Sequence, residues 1–294
     1  MKPNSSKILD SIEVLFPLAK ESIKERSSKF SNKLYTQPQL LTLLCLKVMF
    51  NMTYRDFSEH IRLMPDVLKA IGLSKPPHFT TLHKASERID PAVINKLLTK
   101  TAKLVESSKK ASIDSTCFQK GNASKHYIKR CDLEVKSQKV CMVIDTETQI
   151  ILGLTITNLR THDTKLAYRV LRPLFKWLGL TKLTGDKGFD AEHLRMFLRQ
   201  NLVMPVIAYR LFGSKDNLIN ELLKLIGYCR RPLSETVNSV IKRRFGDMLR
   251  SRLWNLQFKE TKLRAIVYNV NRYQTLLCIF LTGICCLGVF EART

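Results

Sequence analysis

The feature that most constrains this chain is a change of hydrophobic period a third of the way along it. Up to about residue 105 the apolar residues recur at helical spacing, and from about residue 111 they alternate or run in short apolar stretches. Residues 112–119, 138–145 and 150–157 read as strands, the last two joined by the polar turn Thr146-Glu147-Thr148-Gln149. A helix over 163–177 capped by Asp163 follows. Then come a short strand over 182–184, a helix capped by Asp190 and running to Arg199, a strand over 203–208 and a helix over 233–249. Three strands, then helix, strand, helix, strand, helix, specify an α/β (α+β) domain: a mixed five-stranded sheet with helices on its faces.

The segment before it is all helical. Residues 9–24 and 38–50 have helix-like apolar spacing, and Pro38 takes a favoured first-turn position. Thr53 caps a helix to Leu63, and residues 65–71 form another that stops at Gly72. Thr80 or Thr81 caps a helix through Arg88, and Pro91 opens one towards Val105. Thr81, His83, Lys84 and Arg88 give the penultimate helix a polar, partly basic face, which suits a groove-reading helix and equally an ordinary solvated one. The expected division is a helical DNA-binding module over 1–105, a catalytic domain over 106–272 and an apolar tail over 273–294. The strand-first order of the second part is that of ribonuclease H-like folds.

Charge narrows the partner. With 49 Lys and Arg against 25 Asp and Glu the formal charge is +24, far beyond what solubility needs. The basic residues recur through the chain, as over 100–110, 120–139 and 230–252, so a polyanion, double-stranded DNA first, should meet the folded body. The eight cysteines show no CxxC pair and no Cys/His ligand spacing, which argues against zinc. Without an apolar signal at the N-terminus the thiols are expected to be reduced and the protein cytoplasmic and nucleoid-associated. Residues 273–290 carry no charge and are about as long as the shortest membrane span, but Gly283 and Gly288 interrupt them. They are expected to pack on the protein or on a second copy.

Three carboxylates stand where chemistry is expected. Asp114 lies in the middle of the first strand, a place aspartate avoids unless a cation or donor compensates its charge; an exposed edge would also tolerate it. Asp186 lies where the short strand over 182–184 ends, and strand ends at the mouth of an α/β sheet bind ligands, although Asp-Lys-Gly also makes a plain turn. Glu235 opens the last helix, where it also favours the helix dipole. Lys242, seven residues on, shares its face, and Arg243 and Arg244 extend a basic flank.

Tyr228, Arg231, Glu235 and Lys242 stand at the spacing Tyr, two residues, Arg, three residues, Glu, six residues, Lys. This pattern, with Ile113-Asp114-Ser115-Thr116, His162-Asp163-Thr164-Lys165, Gly185-Asp186-Lys187-Gly188-Phe189-Asp190 and Pro205-Val206-Ile207-Ala208-Tyr209-Arg210, resembles the DDE transposases of bacterial and archaeal insertion sequences, families four and five. The resemblance spans about residues 38–272. It implies that Asp114, Asp186 and Glu235 are catalytic and hold two Mg2+ ions, with Mn2+ able to substitute. It implies DNA contacts at Tyr228, Arg231, Lys242, Arg243, Arg244, Lys187 and Arg210. The partners it implies are terminal inverted repeats and target DNA, with a homodimer in the active complex. Residues 211–227 leave no room for the β-rich insertion that larger relatives carry before the glutamate. The same carboxylates would serve a ribonuclease H-type nuclease that cuts without joining, and a decayed copy would bind DNA alone.

Overall fold

The computed structural model describes residues 6–30, 33–120, 130, 137–158, 160–210 and 214–291; of residues 214–217, 230 and 282–291 only the backbone is described. Most of the expected basic run over 120–139 lies outside the described residues. The chain divides into two compact units, one comprising Met1–Leu104 with Lys259–Thr294, the other Val105–Phe258.

The first unit is helical: α1 (Lys7–Ser22), α2 (Gln37–Met49), α3 (Tyr54–His60), α4 (Pro65–Ala70), α5 (Phe79–Arg88) and α6 (Pro91–Ala102). The caps explain the boundaries. Thr36 and Gln39 close a reciprocal capping box on α2, Thr53 caps α3 and Asp90 caps α6. The cap of α5 is His78, whose Nδ1 accepts from the Thr80 amide, and not Thr80 or Thr81. Leu15, Leu41, Leu43, Leu46, Phe57, Ile61, Leu82 and Leu97 are buried in this unit.

Helix α11 (Trp254–Glu291) runs without a break through the point where a separate tail was expected. From Lys259 onward it belongs to the helical unit, and its buried face is unusually polar. Lys259 Nζ donates to the carbonyls of Ser86 and Glu87, 2.8 Å each, and so satisfies the C-terminal end of α5. Arg264 pairs with Glu260 at 2.8 Å, Asn269 meets Thr101 and Gln274 meets Ser11. Gln274 is thus packed, whereas Ile279, Phe280 and Leu281 are exposed. Among the described residues no helix is long and apolar enough to cross a membrane.

The second unit is the mixed sheet. Its strands are β1 (Lys110–Lys120), β2 (Ser137–Asp145), β3 (Ile151–Thr157), β4 (Lys182–Gly185), β5 (Met204–Ile207) and β6 (Met248–Leu249), in the order β3-β2-β1-β4-β5. β1 runs antiparallel to β2 and parallel to β4, and β4 parallel to β5. The flanking helices are α7 (Asp163–Phe175), α8 (Glu192–Gln200), α9 (Ser214–Leu225) and α10 (Pro232–Phe245). Ile113, Cys141, Val143 and Leu152 on one sheet face pack with Leu166, Val170, Leu171, Leu194 and Leu198 from α7 and α8. This is the expected ribonuclease H-like arrangement.

Several local expectations are corrected. Among the described residues the five expected strands are joined by a short sixth: Gly246, at φ 83°, ends α10 in a conformation other residues resist, and the chain returns as β6 beside Gln119 and Lys120 instead of staying helical to Leu249. The segment before the glutamate contains helix α9. Two expected aspartate caps are employed elsewhere. His162 caps α7 through Nδ1, and Ala191 is the first flanking residue of α8, while Asp190 pairs with the buried Arg195 at 2.8 Å.

Candidate active site

The register of the sheet sets the first two carboxylates side by side. Asp114 stands at the centre of β1, opposite Met142 of β2, and the last parallel pair between β1 and β4 is Ile113 with Gly185. The chain leaves the sheet one residue later, at Asp186, beside Asp114. There Asp186 caps a single 3-10 turn, Lys187–Phe189, its Oδ1 accepting from the Gly188 amide at 2.9 Å. A side chain at Gly188 would start 2.9 Å from that same oxygen, so the turn needs glycine for close approach and not for its dihedrals.

Helix α10 lies across β1 and supplies the third element. Ser234 Oγ meets Ser112 Oγ at 3.2 Å, and Asn238 Nδ2 donates to Asp114 Oδ2 at 2.9 Å. Four helical residues rise about 6 Å and two strand residues about 6.6 Å, so residues 234 and 238 match residues 112 and 114 in step. Glu235, next to Ser234, turns away from the sheet. Its side chain is half exposed and forms an ion pair with Arg231 one helical turn earlier.

Electrostatics tie these groups together. Burial, foremost, pushes the Asp114 carboxyl above its ordinary range and the nearby charge of Asp186 pushes the same way, against the Ser115 amide, the Asn238 amide and Arg231. Tyr228 is half-buried, and burial raises its hydroxyl; Arg231 opposes, while Asp186 and Glu235 add to the rise. Tyr228 therefore stands within the field of the second and third carboxylates alike. A carboxyl whose ionised form is penalised by desolvation and by a like charge is what a hard cation with oxygen ligands relieves, so the donor chemistry fits a divalent ion. Among the described residues, however, no three His, Cys, Asp or Glu side chains converge on one metal position. Asp114 and Asp186 are brought together; Glu235 is engaged by Arg231.

The expected DNA contacts flank this site. Lys187 and Arg210 are exposed on the Asp186 turn, where Arg210 Nε donates to the Lys187 carbonyl at 3.2 Å and the Arg210 amide to Asp190 at 2.7 Å. Lys242 Nζ lies 5.8 Å over the ring of Phe118, and Arg243 and Arg244 are exposed at the end of α10. The sequence alone did not single out Asn238; it follows Ser234 by one helical turn, on the side of α10 that meets β1.

A family model described as transposase DDE domain matches residues 107–270, more than half of the chain. No curated protein matches it. With the sheet order, the placement of Asp114 and Asp186 and the family match in agreement, the chain belongs to the DDE transposases, enzymes of transposition that act on DNA and as a family use divalent metal ions.

Proposed function

We propose that this chain is the transposase of an insertion sequence, binding the element's terminal inverted repeats and catalysing metal-dependent cleavage and strand transfer. Asp114, Asp186 and Glu235 would hold two Mg2+ ions, or Mn2+ in their place. The observation that carries the reading is Asp114, ionisable and half-buried at the centre of the sheet, with Asp186 beside it and α10 crossing above. When bound, the ions supply Lewis acidity to the attacking and leaving oxygens of phosphodiester chemistry.

The chain's own residues do the rest. The Ser115 amide and Asn238 hold the Asp114 carboxylate in one orientation, 2.8 and 2.9 Å away. Arg231 has one charge for two anions, and a DNA phosphate oxygen competes with Glu235 for it, which frees Glu235 to face the two aspartates. Lys242, Arg243, Arg244, Lys187 and Arg210 bear the backbone, and Tyr228 packs against the DNA near the scissile bond. The helical unit contributes DNA binding, and a homodimer brings two element ends together.

The test is a strand-transfer assay with terminal-repeat DNA carrying a pre-cut 3′-hydroxyl. The parent chain should give joined product with Mg2+, while Asp114→Asn, Asp186→Asn and Glu235→Gln bind DNA without cutting or joining. Cleavage without any joined product would identify a nuclease instead. A variant that cuts near the parent rate would remove its residue from the site.

A further inference from the structure

One ion pair beside the site has no part in the chemistry so far. Lys139 of β2 reaches Asp163, the first residue of α7, with Nζ 2.9 Å from Oδ1, and also donates to the Thr161 carbonyl at 3.3 Å. Both side chains are about three-quarters buried (25% and 24% exposed). Because His162 takes the capping role, the Asp163 carboxylate is left to face the sheet.

It faces the Asp186 turn. The point where a Gly188 side chain would begin is 3.6 Å from Asp163 Oδ2 and 2.9 Å from Asp186 Oδ1, so the two carboxylates share the space beside one glycine. Cys141, two residues after Lys139 on the same face of β2, lies within the field of Asp163. Burial, first, raises its thiol; among the charges, Asp163 and Asp114 add to the rise and Lys139 opposes it. Asp163 thus joins the Asp186 turn, which it meets at Gly188, to the surroundings of Cys141, and Lys139 supplies a counter-charge there.

We propose that Lys139 and Asp163 are a charge-setting pair for the catalytic aspartates: Asp163 adds negative potential behind Asp186, Lys139 limits it, and their balance sets how tightly Asp114 and Asp186 hold a divalent cation. This rests on the reading of those aspartates as metal ligands. A pair that merely fastens β2 to α7 would lose stability when either partner is removed and would leave cation affinity alone. A charge-setting pair behaves differently, because each substitution exposes the opposite charge. Asp163→Asn leaves the Lys139 ammonium uncompensated near the Asp186 turn and weakens cation binding; Lys139→Met leaves the Asp163 carboxylate uncompensated and strengthens it.

The experiment is Mn2+ titration of the full chain without DNA, following free Mn2+ by electron paramagnetic resonance, with melting temperatures to verify folding. Asp163→Asn should raise the Mn2+ Kd and Lys139→Met lower it, each on the order of tenfold, since a unit charge a few ångströms away acts through a low effective dielectric. The double substitution should return the Kd to near the parent value, and Lys139→Arg should leave it there. Shifts of the same sign in the two single variants, or no shift in either while Asp114→Asn abolishes binding, would overturn the proposal. Unchanged binding in Asp114→Asn would instead show that the aspartates hold no cation, and both readings would fall.

Discussion

Asp114→Asn should separate stability from function at this site. In the metal-free fold burial, and after it the charge of Asp186, penalise the ionised form of Asp114, so its folded pKa lies above its unfolded one. For an acid shifted in that direction, stability falls as pH rises from the unfolded to the folded value, and the deficit persists at neutral pH. An amide removes the charge. It keeps the acceptor for the Ser115 amide at 2.8 Å, but meets the donor face of Asn238. Asn238 Oδ1 has no hydrogen-bond partner among the described residues, so a flip of that amide restores a donor-acceptor pair. Exchanging a charge-assisted bond for a neutral one loses about 1 kcal/mol, whereas removing the charge ends the desolvation of a largely buried carboxylate, the foremost effect on this group, and the lesser repulsion of Asp186, returning about 2 to 3 kcal/mol. Discounted for partial exposure, the net gain is about 1 kcal/mol, or about 2–4 °C in melting temperature for a protein of this size. Melts in chelator should therefore show the variant above the parent, and melts in Mn2+ should stabilise the parent alone, while DNA cleavage is lost. A variant that melts below the parent in chelator would refute the argument that ionising Asp114 costs the fold stability.

Two further outcomes follow from the same geometry and from the helical unit. Gly188→Ala would place a methyl 2.9 Å from Asp186 Oδ1 and should reduce cleavage by roughly 100-fold through a displacement of about 1 Å; Gly179→Ala, with nothing within 4 Å, is the control and should cut normally. Lys262, buried in the helical unit, has its ammonium pushed down to about 8 by burial. Between that value and its unfolded pKa the unfolded chain binds more protons, so stability should rise with pH from about 8 to 10 by up to about 1.4 kcal/mol per unit. Urea midpoints across that range should lose this slope in Lys262→Met, and an unaltered slope would exclude Lys262 as its source.

Much of the catalytic unit is legible in the residues because its signals are local. Strand alternation and helical spacing repeat within four residues, which is enough to order β1 to β5 and the helices between them. Aspartate in a central strand stands out because it is costly there, and Tyr228, Arg231, Glu235 and Lys242 fall within one helix and the turn before it. The pairing of Arg231 with Glu235 is likewise a single helical turn. What the residues did not disclose depends on competition between partners far apart in the chain. Asp163 and His162 are both competent caps, and Lys139, 24 residues earlier, engages the aspartate while the histidine caps. Asn238 is an unremarkable helix residue until α10 is set in step with β1, 124 residues away. The two-residue strand β6 exists because β1 extends past β4 and offers its edge there to a chain turned back at Gly246. By itself the sequence determined the order of elements and the identity of the acidic and basic candidates, since those follow from short-range periodicity and the cost of burying charge. Only the tertiary structure decided which carboxylates stand together, which are engaged by cations and which glycine must stay bare, because those depend on strand register and helix packing, where a shift of one residue turns a side chain to the opposite face.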